Sequence, residues 1–367
     1  MTKVARNNEK GKPLEQRVSK MTLKKHFSQT LAYKLYYAPK LYKDPKVITS
    51  MAKAYRNTMY CSNDLSVKRT ETGKVAFHSK KRCKNRWCPT CQSIRIAKLI
   101  NGYGPQLDKL DDLYFVTLTA PTVVGDELGN RIQHFQKVWR NITSSMYWKE
   151  NKPKGLRKAE CTLRDEGKYH YHFHVLIQGK ENAEWLRDAW LKRIPAANIK
   201  AQDVRKVRSG EYLELFKYFT KLISQDKTTG KRYIDASRLD FVMMMMRGKR
   251  VFQPFGGLKM VDEDSISEYE EFSLPEIYLG TMWSWVLNTG YVNNETKDPL
   301  LKRKLKEWVQ ELLGKITKED EREVKYGLTF EYYARVMNMS VENLWRYLQG
   351  QSRRDKLDST NYNQDNT

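Results

Sequence analysis

Three of the chain's six histidines fall within five residues, as His170, His172 and His174 in the run YHYHFHVLI. Aromatic and β-branched residues predict a strand here, and side chains alternate between the two faces of a strand. The three imidazoles therefore share one face. Tyr171, Phe173, Val175 and Ile177 share the other and can pack on a helix layer. Neighbours two apart stand roughly 6.5–7 Å apart at Cα, close enough for two imidazoles to converge on one cation. His170 and His174, roughly 13 Å apart on an ideal strand, would need a bend to share an ion. His172 and His174 are the favoured pair, with His170 either a third ligand through strand distortion or a phosphate contact. Glu160, on the preceding predicted strand, can add a carboxylate. Such mixed ligands suit Mn²⁺ or Mg²⁺ acting as a Lewis acid on phosphate, and Zn²⁺ is chemically compatible. A histidine-rich exposed strand without metal is the alternative.

The segment GEYLELFKYFTKLISQ (210–225) predicts a helix. On its wheel Leu215, Phe219, Leu222 and Ile223 form an apolar arc, while Glu214, Tyr218 and Lys221 fall on another. A phenol between a carboxylate and an ammonium is a candidate covalent site. Tyrosine can attack a phosphodiester when the departing charge is neutralised. Lys221 can stabilise phenolate or hold the phosphate, and Glu214 can take a proton from water. Ordinary charge pairing on a solvated helix face is the competing reading.

Four of five cysteines fall early. Cys83, Cys88 and Cys91 stand in CKNRWCPTC, and Cys61 lies upstream. Four thiolates so arranged can close a tetrahedral structural Zn²⁺ site, with His78 a substitute for Cys61. A redox Cys-x-x-Cys would call for a thioredoxin-like context that is missing. Cys161 reads as a free buried thiol. Lys80, Lys81, Arg82, Lys84 and Arg86 surround the cluster and favour phosphate contacts.

The segments FVTLTAP, HYHFH and Glu-x-x-Lys-Tyr-x-x-Lys resemble, in order and spacing, the three motifs of HUH endonucleases. They are most similar to those of rolling-circle replication initiators of small bacterial plasmids, in the group with one Tyr and a nearby Glu. The resemblance covers about residues 60–260. It implies that His172 and His174 hold the divalent cation. It also implies that Tyr218 attacks DNA at the double-strand origin, becomes linked to the 5′-phosphate and releases a 3′-hydroxyl primer. Glu214 is then expected to activate water at termination. Many relatives carry Pro where Tyr171 stands, but that side chain points away from the metal. The implied partners are plasmid origin DNA, duplex and single-stranded, with a host helicase and a DNA polymerase, in the bacterial cytoplasm. A mobilisation relaxase or single-strand transposase of the same superfamily is the first alternative. A non-enzymatic zinc-containing DNA-binding regulator is the second.

These residues must be positioned by a mixed fold. Strands are expected at 113–121, 156–164, 169–178 and 198–207, with helices at 131–149, 183–193 and 210–225. Glu166-Gly167 is a hairpin signal. The order strand-helix-strand-strand-helix-strand resembles a ferredoxin-like antiparallel sheet, so the class is α+β. Residues 239–255, with the run MMMM (243–246), suggest two more strands. The expected organisation is a basic arm and helices (1–60), a cysteine-rich zinc module (61–100), a nicking-joining domain (101–260) and a helical region (261–367). In that last region LTFEYYARVMNMSVENLWRYL (328–348) has the rhythm of a helix-turn-helix, which would bring Arg346 and Arg353-Arg354 to DNA.

Composition agrees. The 367 residues carry 67 Lys and Arg against 43 Asp and Glu, a formal charge of +24. Residues 1–100 hold 24 basic and 5 acidic side chains, so most of the excess lies there. Such asymmetry points to a polyanion, most often nucleic acid. The first residues, MTKVARNNEKGKPLEQ, contain no apolar stretch and predict no secretory leader. No run approaches the ~18 apolar residues of a membrane span, so no membrane partner is expected.

Overall fold

The computed structural model describes residues 14–70, 75–79, 81–164, 166–208, 211–216, 224–225, 232–262, 276–286 and 290–299. In chain order it gives α1 (Leu14–Tyr37), α2 (Pro45–Met59), β1 (Asp64–Thr70), β2 (Val75–His78), α3 (Pro89–Leu107), β3 (Leu113–Leu118), α4 (Leu128–Thr143) and α5 (Met146–Asn151). There follow β4 (Gly155–Leu163), β5 (Tyr169–Gln178), α6 (Lys180–Arg193), β6 (Asp203–Lys206), β7 (Ser224–Gln225), β8 (Arg232–Tyr233), α7 (Ala236–Met246), β9 (Phe252–Phe255), β10 (Glu276–Val286) and β11 (Gly290–Asn293). The fold is α+β.

The principal sheet is antiparallel, with strand order β6-β3-β5-β4-β9. The β4–β5 hairpin turns through Glu166 (φ 54°) and Gly167 (φ 72°). Two successive positive φ values match the right-handed twist of the flanking strands. One face of the sheet is covered by α4 and α6. Phe135 of α4 meets Tyr171 and Phe173, and its ring lies 4.7 Å, edge to face, from Trp190 of α6. Tyr171 is held there by Gln136 Nε2, which donates to its hydroxyl at 3.0 Å. Its side chain therefore points away from the histidine face.

Directly opposed residues of antiparallel strands share a face. The register pairs Glu160 with His172, and Lys158 with His174, which in turn faces Thr117 of β3. The second face of the sheet therefore carries Thr117, Lys158, Glu160, His172 and His174 together. Phe252 of β9, paired with Lys158, lies on this face and stacks on Phe216 at 5.6 Å. Phe216 belongs to a 3₁₀ turn at Glu211–Phe216 and also stacks on Tyr103 of α3.

A second antiparallel sheet, in the order β11-β10-β1-β2, lies beside α1. Its buried Trp285 donates from Nε1 to Gln29 of α1 at 2.7 Å. Helix α1 does not present a plain apolar stripe, since Lys25, His26, Ser28 and Gln29 are all buried.

Three expectations need correction. Residues 239–255 do not form two strands: 236–246 is helix α7, and only 252–255 is a strand. Asp235 caps α7 by accepting from Arg238 N at 3.1 Å, and unbranched Met suits a helix interior. The region 261–367 is not helical throughout, because 276–286 is a strand paired back to β1 and 290–293 a strand paired to it in turn. Of the helix expected at 210–225, residues 211–216 form a 3₁₀ turn and 224–225 a short strand, while 217–223 lie outside the described residues. The helix-turn-helix segment 328–348, Arg346 and Arg353-Arg354 lie outside the described residues.

Candidate active site and metal centres

On β5 the two central imidazoles converge. His172 Nε2 and His174 Nε2 stand 3.1 Å apart, and Glu160 Oε2 lies 3.9 Å from His174 Nε2. Hydrogen bonds at the far side of each ring fix which nitrogen carries the proton. His172 donates from Nδ1 to the carbonyl of His170 at 3.2 Å. His174 Nδ1 lies 3.3 Å from Thr117 Oγ1. With both protons on Nδ1, both Nε2 lone pairs face the same point. Two ligands about 2.1 Å from one ion are ~3.0–3.4 Å apart, which this spacing matches. Burial, with His172 and Lys158 beside it, lowers the His174 pKa to about 3, so the ring is neutral, as a metal ligand must be. Lys158 Nζ sits 2.8 Å from Glu160 Oε2.

His170 is turned to other work. Its Nδ1 accepts from Arg164 Nη2 at 3.2 Å, and its Nε2 is hydrogen-bonded to Thr119 Oγ1. With both nitrogens engaged it stands outside the Glu160, His172 and His174 group, although its ring stacks on His172 at 4.6 Å. Burial lowers its pKa to about 4.

Of the helix residues, Glu214 lies in the 3₁₀ turn, while Tyr218 and Lys221 lie outside the described residues. Tyr212, the neighbouring phenol, is buried. Burial and Asp108 push its pKa up to about 12.

The four early cysteines form a second centre. Cys61, Cys83, Cys88 and Cys91 place their sulfurs within 4.8 Å of one another. The Cys61–Cys91 and Cys83–Cys91 separations are 3.4 and 3.6 Å. These are too long for a disulfide and near the ~3.8 Å edge expected for four sulfurs about 2.3 Å from one ion. The local sequence explains the shape. Cys88 is the N-cap of α3, Pro89 opens the helix, and Cys91 lies in the first turn, three residues on and on the same side. The helix N-terminus favours negative sulfur. Lys25, fully buried, donates to Met59 O at 2.7 Å and to Asn63 Oδ1 beside this cluster. His78 is a β2 residue. Cys161 is buried and free, and burial pushes its thiol upward.

The basic residues of the cysteine loop divide. Lys81 and Lys84 are exposed, and Arg82 is half-buried. Arg86 donates to Lys249 O at 2.5 Å, tying the loop to the turn before β9. Lys80 lies outside the described residues. The sequence reading did not single out Thr117, Thr119, Lys158 or Arg164 as site residues. Thr117 and Thr119 alternate within FVTLTAP, and Lys158 is two before Glu160, so strand periodicity carried the signal.

Residues 74–275 match a family model described as "Replication protein". The chain belongs to that replication protein family. Among curated relatives, a "Protein rep" of Staphylococcus aureus is 30% identical over 39% of this chain and 69% of its own length. Another of Bacillus sp is 30% identical over 43% of this chain and 56% of its own. A third, of Lentilactobacillus hilgardii, is 26% identical over 54% and 70%. The matched span thus covers little more than half of the Bacillus relative and about two thirds of the others. No solved structure matches. Family membership and the convergent Glu160, His172 and His174 are independent observations on the same stretch of chain. No helix among the described residues is long and apolar enough to cross a membrane.

Proposed function

We propose that the protein initiates rolling-circle replication of a plasmid by nicking one strand of its origin through Tyr218, in the bacterial cytoplasm. The observation that carries this reading is the convergence of Glu160, His172 and His174 on one sheet face within the family-matched span. The strand order β6-β3-β5-β4, with α4 and α6 as crossovers, supports a ferredoxin-like core of the HUH type. Phe216, two residues before Tyr218 in sequence, is stacked against this same face.

A divalent cation on those three ligands, Mn²⁺ or Mg²⁺, would supply Lewis-acid polarisation of the scissile phosphate. Thr117 and the His170 carbonyl hold the two imidazoles in the ligating tautomer. Tyr218 Oη forms a bond to phosphorus while the P–O3′ bond breaks. The proton lost by the phenol is matched by the one the 3′ oxygen takes up, leaving a 3′-hydroxyl primer. Lys221 stabilises the phenolate. At termination Glu214 takes a proton from water, the water oxygen bonds to phosphorus, and the tyrosine oxygen leaves and is reprotonated. The cysteine cluster suits structural Zn²⁺ by its all-thiolate donor set.

The test is mass spectrometry of protein incubated with Mn²⁺ or Mg²⁺ and a labelled single-stranded origin library. A covalent 5′-phosphotyrosine adduct in the wild type, absent from Tyr218→Phe, supports nicking by this residue. Metal-independent duplex binding with no adduct would instead make the protein a DNA-binding regulator.

A further inference from the structure

A cleft of about 600 Å³ lies between the cysteine loop and the turn joining α7 to β9. One wall carries Lys84 and Arg86; the other carries Arg247, Lys249 and Arg250, against a single acid, Asp262. Arg247, Lys249 and Arg250 are all exposed. Both walls are anchored from behind. The buried Arg95 donates to Lys84 O at 3.0 Å, and Arg86 to Lys249 O at 2.5 Å. The floor is apolar, with Trp87, Met246 and Phe252. Met260 stands at the cleft 61% exposed and adds apolar surface to it. Phe252 is also the strand partner of Lys158 on the sheet face that carries Glu160, so one residue of the floor belongs to both the cleft and that face.

We infer that this cleft binds a segment of single-stranded DNA, its phosphates on the two basic walls and its unstacked bases toward the apolar floor. Cations along a groove with apolar and aromatic surfaces are what a single strand requires. A duplex presents a convex cylinder and would meet only the rim. The inference rests on the nicking function proposed above, since a strand cut at the sheet must be led to and from it.

The test measures binding of fluorescein-labelled oligothymidylate of about twelve nucleotides, and of a mixed-sequence duplex, by anisotropy across a salt series. The protein is the full chain and its Arg247→Ala/Lys249→Ala/Arg250→Ala variant. Each lost phosphate contact should remove about 0.7 from the slope of log K against log salt, so about 2 for three residues. Strand affinity near 0.15 M salt should fall ~10–100-fold, with duplex affinity close to wild type. An Arg247→Lys/Arg250→Lys variant keeps the charge and should retain strand affinity, which separates charge from folding. Unchanged strand affinity and slope in the alanine variant would overturn the inference, as would an equal loss on duplex. If wild type forms no adduct on the origin library yet the strand-specific loss appears, the cleft stands and the nicking reading fails. If adducts form while strand affinity is untouched, the reverse holds.

Discussion

The Nδ1 atoms of His172 and His174 decide what their Nε2 atoms can do. Each is occupied at its far nitrogen, one by a backbone carbonyl and one by Thr117. His172→Ala or His174→Ala should abolish strand cleavage and leave DNA binding largely intact, because affinity comes from basic residues elsewhere. EDTA should reproduce the effect; full cleavage by the double variant would remove the pair from the mechanism. Thr117→Val leaves both imidazoles but frees His174 Nδ1. The Mn²⁺ concentration for half-maximal cleavage should rise ~10–100-fold, the usual cost of losing a partner behind a ligand. His170→Ala should behave differently, since both its nitrogens are engaged by Thr119 and Arg164. Its Mn²⁺ requirement should stay near wild type while the rate falls; a rise matching that of Thr117→Val would make His170 a ligand.

At the scale of elements, the parts that were legible were those with local rules. The alternation of β5 and the turn at Glu166-Gly167 depend on neighbours in sequence, and they fold as read. The apolar run 239–246 was ambiguous because periodicity alone cannot separate a short buried strand from a buried helix. Its cap, Asp235, was the signal that decides it. Strand β10 was missed because its pairing partner, β1, lies some two hundred residues earlier, and β11 pairs only with β10. Their docking surface on α1 is also polar, with Gln29, Lys25 and His26 in place of an apolar stripe. That surface has a pH consequence. His26 is buried, its ring centroid 6.4 Å from that of Trp285, and burial with Lys25 alongside lowers its pKa to about 4 from an ordinary 6.5. As pH falls below about 6.5 the unfolded chain takes up a proton that the folded chain refuses until about pH 4. Stability should therefore fall across that window, by up to ~3 kcal/mol from this group. Urea unfolding of wild type and His26→Gln at pH 7 and pH 4.5 checks it. The variant should lose less stability on acidification, and parallel losses would show that His26 does not set the slope.

For the molecule as a whole, the cysteine centre is where separate elements meet. Cys61 follows α2, Cys83 closes the basic loop, and Cys88 and Cys91 open α3. Thr58 of α2 donates to Cys83 Sγ at 3.3 Å, and Ser28 of α1 lies 3.7 Å from Cys88 Sγ. Next to Cys61, Ser62 accepts from Tyr291 of β11 through its carbonyl, and Asn63 O accepts from Trp285 N at 2.8 Å. An ion on four thiolates would thus fix three helices and the second sheet relative to one another, and through Arg86 the turn at Lys249 as well. Purified protein should carry about one zinc per chain that mild chelation does not remove, as for a closed four-ligand site. Cys88→Ser should lower the melting temperature markedly, because a buried hydroxyl replaces a thiolate at the helix N-cap and the centre opens. It should also weaken single-strand binding, since the cleft loses its anchored wall. His172→Ala should leave the zinc content and single-strand binding close to wild type, as His172 is no part of the cysteine group. Elemental analysis, thermal melts and anisotropy on the two variants measure this contrast. A zinc-free wild type with an unchanged melt for Cys88→Ser would mean that packing alone, without a bound ion, holds these elements together.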